Sequence, residues 1–190
     1  MRIIAGLAKG RNLVSPFGAT RPTSDRAREA LFSSLESEFG NLHHLNFLDL
    51  FSGSGAVAAE ALSRGAALVH AVENDEKAQK VIRQNFSLFD SLSGVGTYQL
   101  FPLSVQKFLE KVADTIRYDI IFIDPPYDMV NKEVEKIVNE VHRFCKDSAV
   151  IAVERDARTE PFHWPAQMNA SKVRKYGHAV IYYGSPAQNG

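Results

Sequence analysis

The chain has 190 residues, 45% hydrophobic and 23% charged, with 22 basic and 22 acidic side chains. This is an ordinary globular composition that fills one core and leaves no room for two independent domains. No apolar run approaches the roughly 20 residues that span a bilayer, and Met1-Arg2-Ile3-Ile4-Ala5-Gly6 lacks a signal peptide's apolar stretch, so the cytoplasm is the expected location.

The zero net charge hides an asymmetry. Residues 1–28 hold Arg2, Lys9, Arg11, Arg21, Arg26 and Arg28 against Asp25, six cations to one anion, a net +5. Such a stretch is either a polyanion-binding end or a solvated arm, and charge alone fits both. Within it, Arg2 to Ala5 and Arg11 to Val14 flank Gly6 and Gly10 as a small hairpin. Thr23 or Ser24 then opens a helix bearing Ala27, Ala30, Leu31 and Leu35. Residues 1–40 are read as an extension and residues 41–190 as the core of a single domain.

From about residue 45, short apolar runs alternate with helix-period segments, the pattern of a parallel sheet flanked by helices. The predicted strands are Leu45 to Leu50, Leu68 to Glu73, Thr97 to Phe101, Tyr118 to Asp124 and Ala149 to Glu154. The first helix, Ala56 to Arg64, stops at Gly65, and the second starts at Asn74 or Asp75. The third covers about Leu103 to Ala113. The fourth takes Asn131 as N-cap and repeats Val134, Ile137, Val138, Val141 and Cys145 at helical spacing. That spacing makes Cys145, the one cysteine, a core filler rather than a nucleophile. The opposite face, Lys132, Glu133, Glu135, Lys136 and Glu140, is read as solvated surface. Pro161 and Pro165 then interrupt the segment where another helix would fall. Lys172 to Tyr176 and His178 to Tyr183 around Gly177 read as a hairpin that ends the sheet with an antiparallel strand.

Between the first strand and first helix lies Asp49-Leu50-Phe51-Ser52-Gly53-Ser54-Gly55. Two glycines let the backbone turn tightly against a small molecule. Gly53-x-Gly55-x-x-Ala58 with Glu73 twenty residues on also satisfies the dinucleotide fingerprint, so the pattern alone leaves NAD and S-adenosylmethionine open. Charge favours the second. Asp49 beside the loop repels a pyrophosphate, whereas S-adenosylmethionine brings an ammonium and a sulfonium. Glu73 is then the acceptor for the two ribose hydroxyls.

Tyr118 to Asp124 runs into Asp124-Pro125-Pro126-Tyr127. At the carboxyl end of an open sheet this tetrapeptide is expected beside the glycine loop. An exocyclic amino group on a base is a poor nucleophile because its lone pair is delocalised. Hydrogen bonds from its two N–H atoms to the Asp124 carboxylate and the Pro125 carbonyl localise that pair and aim it. The prolines, Pro126 included, stiffen the carbonyl's direction, and Tyr127 offers a face for an extruded base.

With these motifs the chain resembles the RsmD-type 16S ribosomal RNA guanine-N2 methyltransferases. The resemblance is carried in order by Arg2-Ile3-Ile4-Ala5-Gly6, Gly10-Arg11, Arg21-Pro22-Thr23, Arg28-Glu29-Ala30-Leu31-Phe32, the glycine loop, Glu60-Ala61-Leu62-Ser63-Arg64-Gly65 and Asp124-Pro125-Pro126-Tyr127. It implies a class I S-adenosylmethionine-dependent methyltransferase fold: an α/β Rossmann-like, seven-stranded, mostly parallel sheet with helices on both faces and one antiparallel strand. It further implies methylation of a guanine N2 in 16S rRNA, either free or in the assembled small subunit, with G966 as the family's site. Asp124, Pro125, Pro126 and Tyr127 are the expected catalytic set. Asp49, Phe51, Gly53, Ser54, Gly55, Glu73, Asn74, Ser104 and Asp124 are expected around the cofactor. Arg2, Lys9, Arg11, Arg21, Arg26 and Arg28 are expected on RNA backbone. Ser104 stands where many relatives carry Asp or Asn, so Ser104 or backbone groups must recognise the adenine. The segment 156–170 matches the family poorly and no role passes to His163 or Trp164. A monomer is expected, without metal or membrane. Adenine-N6 methylation is the alternative, since related motifs serve it in DNA, although no target-recognition insert is present.

Overall fold

A computed structural model of the chain describes residues 1–15, 25–112 and 115–187. The elements are α1 (Asp25–Phe39), β1 (Asn46–Leu50), α2 (Ala56–Ser63), β2 (Leu68–Val72), α3 (Glu76–Phe86), β3 (Thr97–Phe101), α4 (Val105–Lys111), β4 (Tyr118–Ile123), α5 (Asn131–Val141), β5 (Cys145–Asp156), β6 (Met168–Tyr176) and β7 (Ala179–Pro186). The strands form one sheet in the order β3-β2-β1-β4-β5-β7-β6. β1 to β5 pair in parallel, and β7 runs antiparallel to both β5 and β6. β4 is central and buried at all six positions, as a strand covered on both faces must be.

Helices cover both sides. One core layer joins α1 and α2 to the sheet through Leu31, Phe32, Leu35, Phe47 and Ile120, and the other joins α4 and α5 through Phe108, Val134, Val138, Ile121 and Ile151. α2 is buried at every residue, and its four alanines let it lie close to the sheet. The N-terminal hairpin is reduced to a single antiparallel bridge, Arg2 to Asn12. Thr23 and Ser24, the expected helix openers, lie outside the described residues.

Several boundaries differ from the periodicity: α4 is shorter, β5 is longer at both ends, β6 begins at Met168, β7 runs on to Pro186, and the ends of α5 shift most tellingly. α5 ends at Val141, a 3-10 turn over His142–Phe144 buries Phe144, and Cys145 begins β5 opposite Tyr118. Ladder pairing captures Cys145, which the helical spacing had assigned to α5. Burial pushes its thiol up to about 12, so it stays a protonated filler. Asn131 is the first residue of α5 and not its cap. Its amide instead donates to the carbonyls of Glu160 and Pro161 at 2.9 and 3.1 Å.

The N-terminal segment is fastened by a buried charge. Glu60, fully buried in α2, accepts from the Ile4 and Ala5 amides at 2.8 and 3.0 Å and from Arg64 at 2.9 Å. Arg28 of α1 approaches it to 3.6 Å. Ser63 accepts the Ala8 amide, and its carbonyl takes the Leu7 amide at 2.7 Å. Gly6 lies so close to this helix end, at φ +81°, that a Cβ would fall 1.7 Å from the Ser63 carbonyl oxygen. Glu60→Ala removes the buried one of Arg28's two acidic neighbours and leaves two backbone donors unpaired. It should cost about 3–5 kcal/mol in urea unfolding, and a loss below about 1 kcal/mol would show that the segment is held by its apolar contacts alone.

Candidate active site

Register builds the site. Leu50 pairs with Val72 on one side and Ile123 on the other, so Phe51, Glu73 and Asp124 leave three adjacent strands at one level. Asp49 lies one residue inside β1 and is 1% exposed. Ser52 staples the strand ends: its amide donates to the Val72 carbonyl at 3.0 Å, and its hydroxyl bonds the Asp49 carbonyl at 2.7 Å and the Val72 amide at 3.1 Å. The Asp124 amide reaches the Leu50 carbonyl at 3.3 Å. The glycine loop and the Asp-Pro-Pro-Tyr loop therefore open side by side on one rim of the sheet.

The chain turns through left-handed backbone at Phe51, Gly53 and Gly55, with φ of 61°, 55° and 71°. Gly55 is also tight against α3, since a Cβ there would meet Ile82 at 3.1 Å. Glu73 locks this loop, accepting the Gly53 amide at 2.8 Å on one oxygen and the Asp75 amide at 2.8 Å on the other. Asp49 accepts the Ala58 amide at 3.1 Å, in the first turn of α2. Its carboxyl is held well above its ordinary value, first by burial and then by the charge of Asp124, with Glu73 adding to the rise and the Ala58 bond opposing it.

A cavity of about 480 Å³ opens beside these acids. Of the expected cofactor residues, Phe51, Glu73, Asn74 and Ser104 line it, as does Pro126 of the motif loop, while Asp49, Gly53, Ser54, Gly55 and Asp124 are not among its lining residues. Ser104 caps α4, accepting the Lys107 amide at 3.3 Å. The far wall is α5, whose Glu133, Lys136, Ile137 and Glu140 face the space. The face is solvated as read, with Glu133, Lys136 and Glu140 exposed, but it also borders the cavity, which that reading did not foresee. The signal was an i, i+3, i+7 stripe interrupted by an apolar residue, which periodicity alone assigns to water.

In the motif loop Asp124 is half-buried and Pro125 buried. The Met129 amide donates to the Pro126 carbonyl at 3.0 Å, a turn that lifts Tyr127 to the rim, where it is 48% exposed. Arg155 of β5, which the motifs gave no reason to suspect, donates to the Met129 carbonyl at 2.5 Å.

The basic arm is less free than its composition suggests. Arg28 is fully buried against Glu60 and Asp25, so it is withdrawn from the RNA-contacting set; a core ion pair claims it. Arg11 is half-buried and donates to the Leu88 carbonyl at 2.6 Å. Arg2, Lys9 and Arg26 are exposed, and Arg21 lies outside the described residues. Among the described residues no group of three or more His, Cys, Asp or Glu side chains is placed to hold a metal ion, and no helix is long and apolar enough to cross a membrane.

The family described as "Conserved hypothetical protein 95" matches residues 1–185. The chain is 31% identical to the Haemophilus influenzae protein named "Ribosomal RNA small subunit methyltransferase D", over 93% of this chain and 89% of that one. It is 31% identical to the Bacillus subtilis "Putative rRNA methyltransferase YlbH", over 93% and 94% respectively. The solved structure titled "Putative methyltransferase yhhF from Escherichia coli" superposes with a TM-score of 0.81 at 28% identity, covering 99% of each chain. The sheet order with its one antiparallel strand is the class I S-adenosylmethionine-dependent methyltransferase fold.

Asp49 gives the site a pH signature. An acid whose folded value lies above its ordinary 3.8 holds its proton more tightly when folded. The fold therefore loses stability as pH rises from 3.8 through the folded value. Asp49→Asn keeps an acceptor for Ala58 without the charge. Urea unfolding should find this variant more stable than wild type at pH 7, with the difference shrinking towards pH 4. Equal stabilities at both pH values would mean that the Asp49 charge costs the fold nothing.

Proposed function

This chain belongs to the family described as Conserved hypothetical protein 95, and on that premise we propose that it transfers a methyl group from S-adenosylmethionine to N2 of a guanine in small-subunit ribosomal RNA. One observation carries the choice of donor: three carboxylates, Asp49, Glu73 and Asp124, converge at the ends of β1, β2 and β4 beside a cavity of ligand size. A cation suits that ground and a pyrophosphate does not. The Gly53 amide, which a dinucleotide phosphate would need, is already given to Glu73.

The residues present fit the donor. Glu73, fixed by two amides, keeps lone pairs for the ribose hydroxyls, and Asn74, Phe51 and Ser104 border the space for the adenosine. Asp49 and the loop of Gly53, Ser54 and Gly55 hold the amino-acid end. When bound, the sulfonium supplies an electrophilic methyl group. The chain's own work is done on the acceptor. Tyr127 stacks the extruded base, a contact worth ~1–3 kcal/mol. Asp124 and the Pro125 carbonyl take hydrogen bonds from the amino group and aim its lone pair. That pair would take the methyl group from the bound donor, and Asp124 would accept the proton that the amino nitrogen then gives up, on its way to water. No covalent enzyme intermediate is needed. Arg2, Lys9 and Arg26 are proposed to meet RNA phosphates, with G966 of 16S rRNA as the proposed target. The relative names, which speak of ribosomal RNA, support the substrate class, and the whole chain is proposed to act as one domain and one protomer.

Asp124→Ala should bind S-adenosylmethionine within a few-fold of wild type by titration calorimetry, yet lose about 10²–10³ in single-turnover methylation of undermodified small subunits. Normal turnover would remove Asp124 from the chemistry, and mapping the label to an adenine N6 would replace the guanine reading. Glu73→Ala should weaken donor binding by about 1.5–3 kcal/mol in the same titration. An unchanged dissociation constant would refute the ribose role.

A further inference from the structure

The turn that presents Tyr127 is held by a residue outside the motif. Arg155 is 5% exposed at the end of β5, and its Nη2 grips the Met129 carbonyl while the Met129 amide closes the turn on Pro126. One residue is thus fixed at both of its backbone polar groups. Parallel pairing explains the reach. Ile123 lies opposite Val153, so Asp124 is level with Glu154 and Arg155 stands one residue further along, under the loop. Its charge and that of Asp124 attract each other. A guanidinium is costly to bury, and an apolar side chain would fill the place more cheaply. A buried charge at this point makes sense where a second charge needs it.

We propose that Arg155 is a positioning residue for base capture: it fixes the Pro126–Met129 turn through the Met129 carbonyl and, as a buried cation beside Asp124, keeps that carboxylate in its acceptor form. The inference rests on the role given to Asp124 above. Asp124 meets Asp49 from β1 and Arg155 from β5. Beyond them stand Glu73 at the end of β2, Tyr182 on β7, Tyr127 and Arg158 on the rim, and Glu133, Lys136 and Glu140 of α5 along the cavity. Removing Arg155 takes an attracting cation away from Asp124 and so favours its protonation.

Three variants separate the two roles. Arg155→Gln keeps a donor for the Met129 carbonyl but no charge. Arg155→Lys keeps the charge, and Arg155→Met keeps neither. Hydrogen exchange of the amides of residues 127–130 in the ligand-free protein reads the turn. The acid limb of the single-turnover pH–rate profile reads Asp124. Arg155→Met should exchange at least tenfold faster at these amides, with its acid limb displaced upward by half a pH unit or more. Arg155→Gln should displace the limb with near-wild-type exchange, and Arg155→Lys should return the limb to its wild-type place. A rate loss of equal size at every pH in all three, or wild-type exchange and limb in Arg155→Met, overturns the proposal. If Asp124→Ala retains turnover, the underlying reading of Asp124 has failed. If Asp124→Ala is inactive but the limb stays fixed in Arg155→Met, this inference alone has failed.

Discussion

The feature on which the rest of the molecule depends is a set of like charges that the sheet does not let separate. Parallel pairing of β1 with β2 and β4 fixes where Glu73 and Asp124 emerge, and Asp49 sits one residue deeper between them. Nothing in the backbone can slide to relieve the repulsion without flipping a core strand's side chains to the wrong face. Relief is local: amides of Gly53 and Asp75 for Glu73, the amide of Ala58 for Asp49, and the charge of Arg155 for Asp124. Asp49 is still held above its ordinary value by burial and by the charges of Asp124 and Glu73. Under the proposed function a bound ligand cation would ease that repulsion, coupling donor binding to fold stability through the same carboxylates.

The N-terminal segment shows the reverse arrangement. One buried anion, Glu60, gathers two backbone amides and two arginines. Arg64 also reaches Glu36 of α1 at 2.7 Å and lies over the Phe32 ring. A second latch is Asn85 of α3, whose side chain bonds both backbone groups of Val14 and the Ser54 carbonyl. This amide ties the basic segment to the glycine loop itself. The extension is thus fastened along α2, with Val14 tied through Asn85 to the glycine loop, rather than attached as a loose tail.

How much of this was legible follows from what each signal encodes. Strands and helices of the core carry their period in the sequence, and β3 runs from Thr97 to Phe101 as the pattern has it. The acids at strand ends and the two glycines were readable because spacing from a strand fixes position in an open parallel sheet. Arg28 was misjudged because a count of charges does not report burial; its partner Glu60 is 32 residues away, within a helix that reads only as alanine-rich. Arg155 was invisible for a similar reason: it belongs to no motif, and its relation to Met129 exists only after β5 pairs with β4. Asn131 looked like a cap because caps and loop anchors draw on the same side chains.

That last residue leads to the outer wall of the site. Where a further helix would separate β5 from β6, two prolines leave a loop, and its aromatic residues cover the sheet instead. Phe162 is buried against Trp164 and Tyr182, with ring centres 5.2 and 5.7 Å away. Asn131 binds the loop's carbonyls two residues after Met129 meets Arg155, so the loop, the start of α5 and the motif turn share one set of anchors. An aromatic-backed loop therefore stands where a further helix would, and Tyr127 remains exposed. Under the proposed function, a nucleotide swung out of a folded RNA would need room for its flanking phosphates while the base approached Asp124. On that reading the loop and the exposed tyrosine serve one end, access for a base carried by a large, structured substrate rather than for a small molecule from solution.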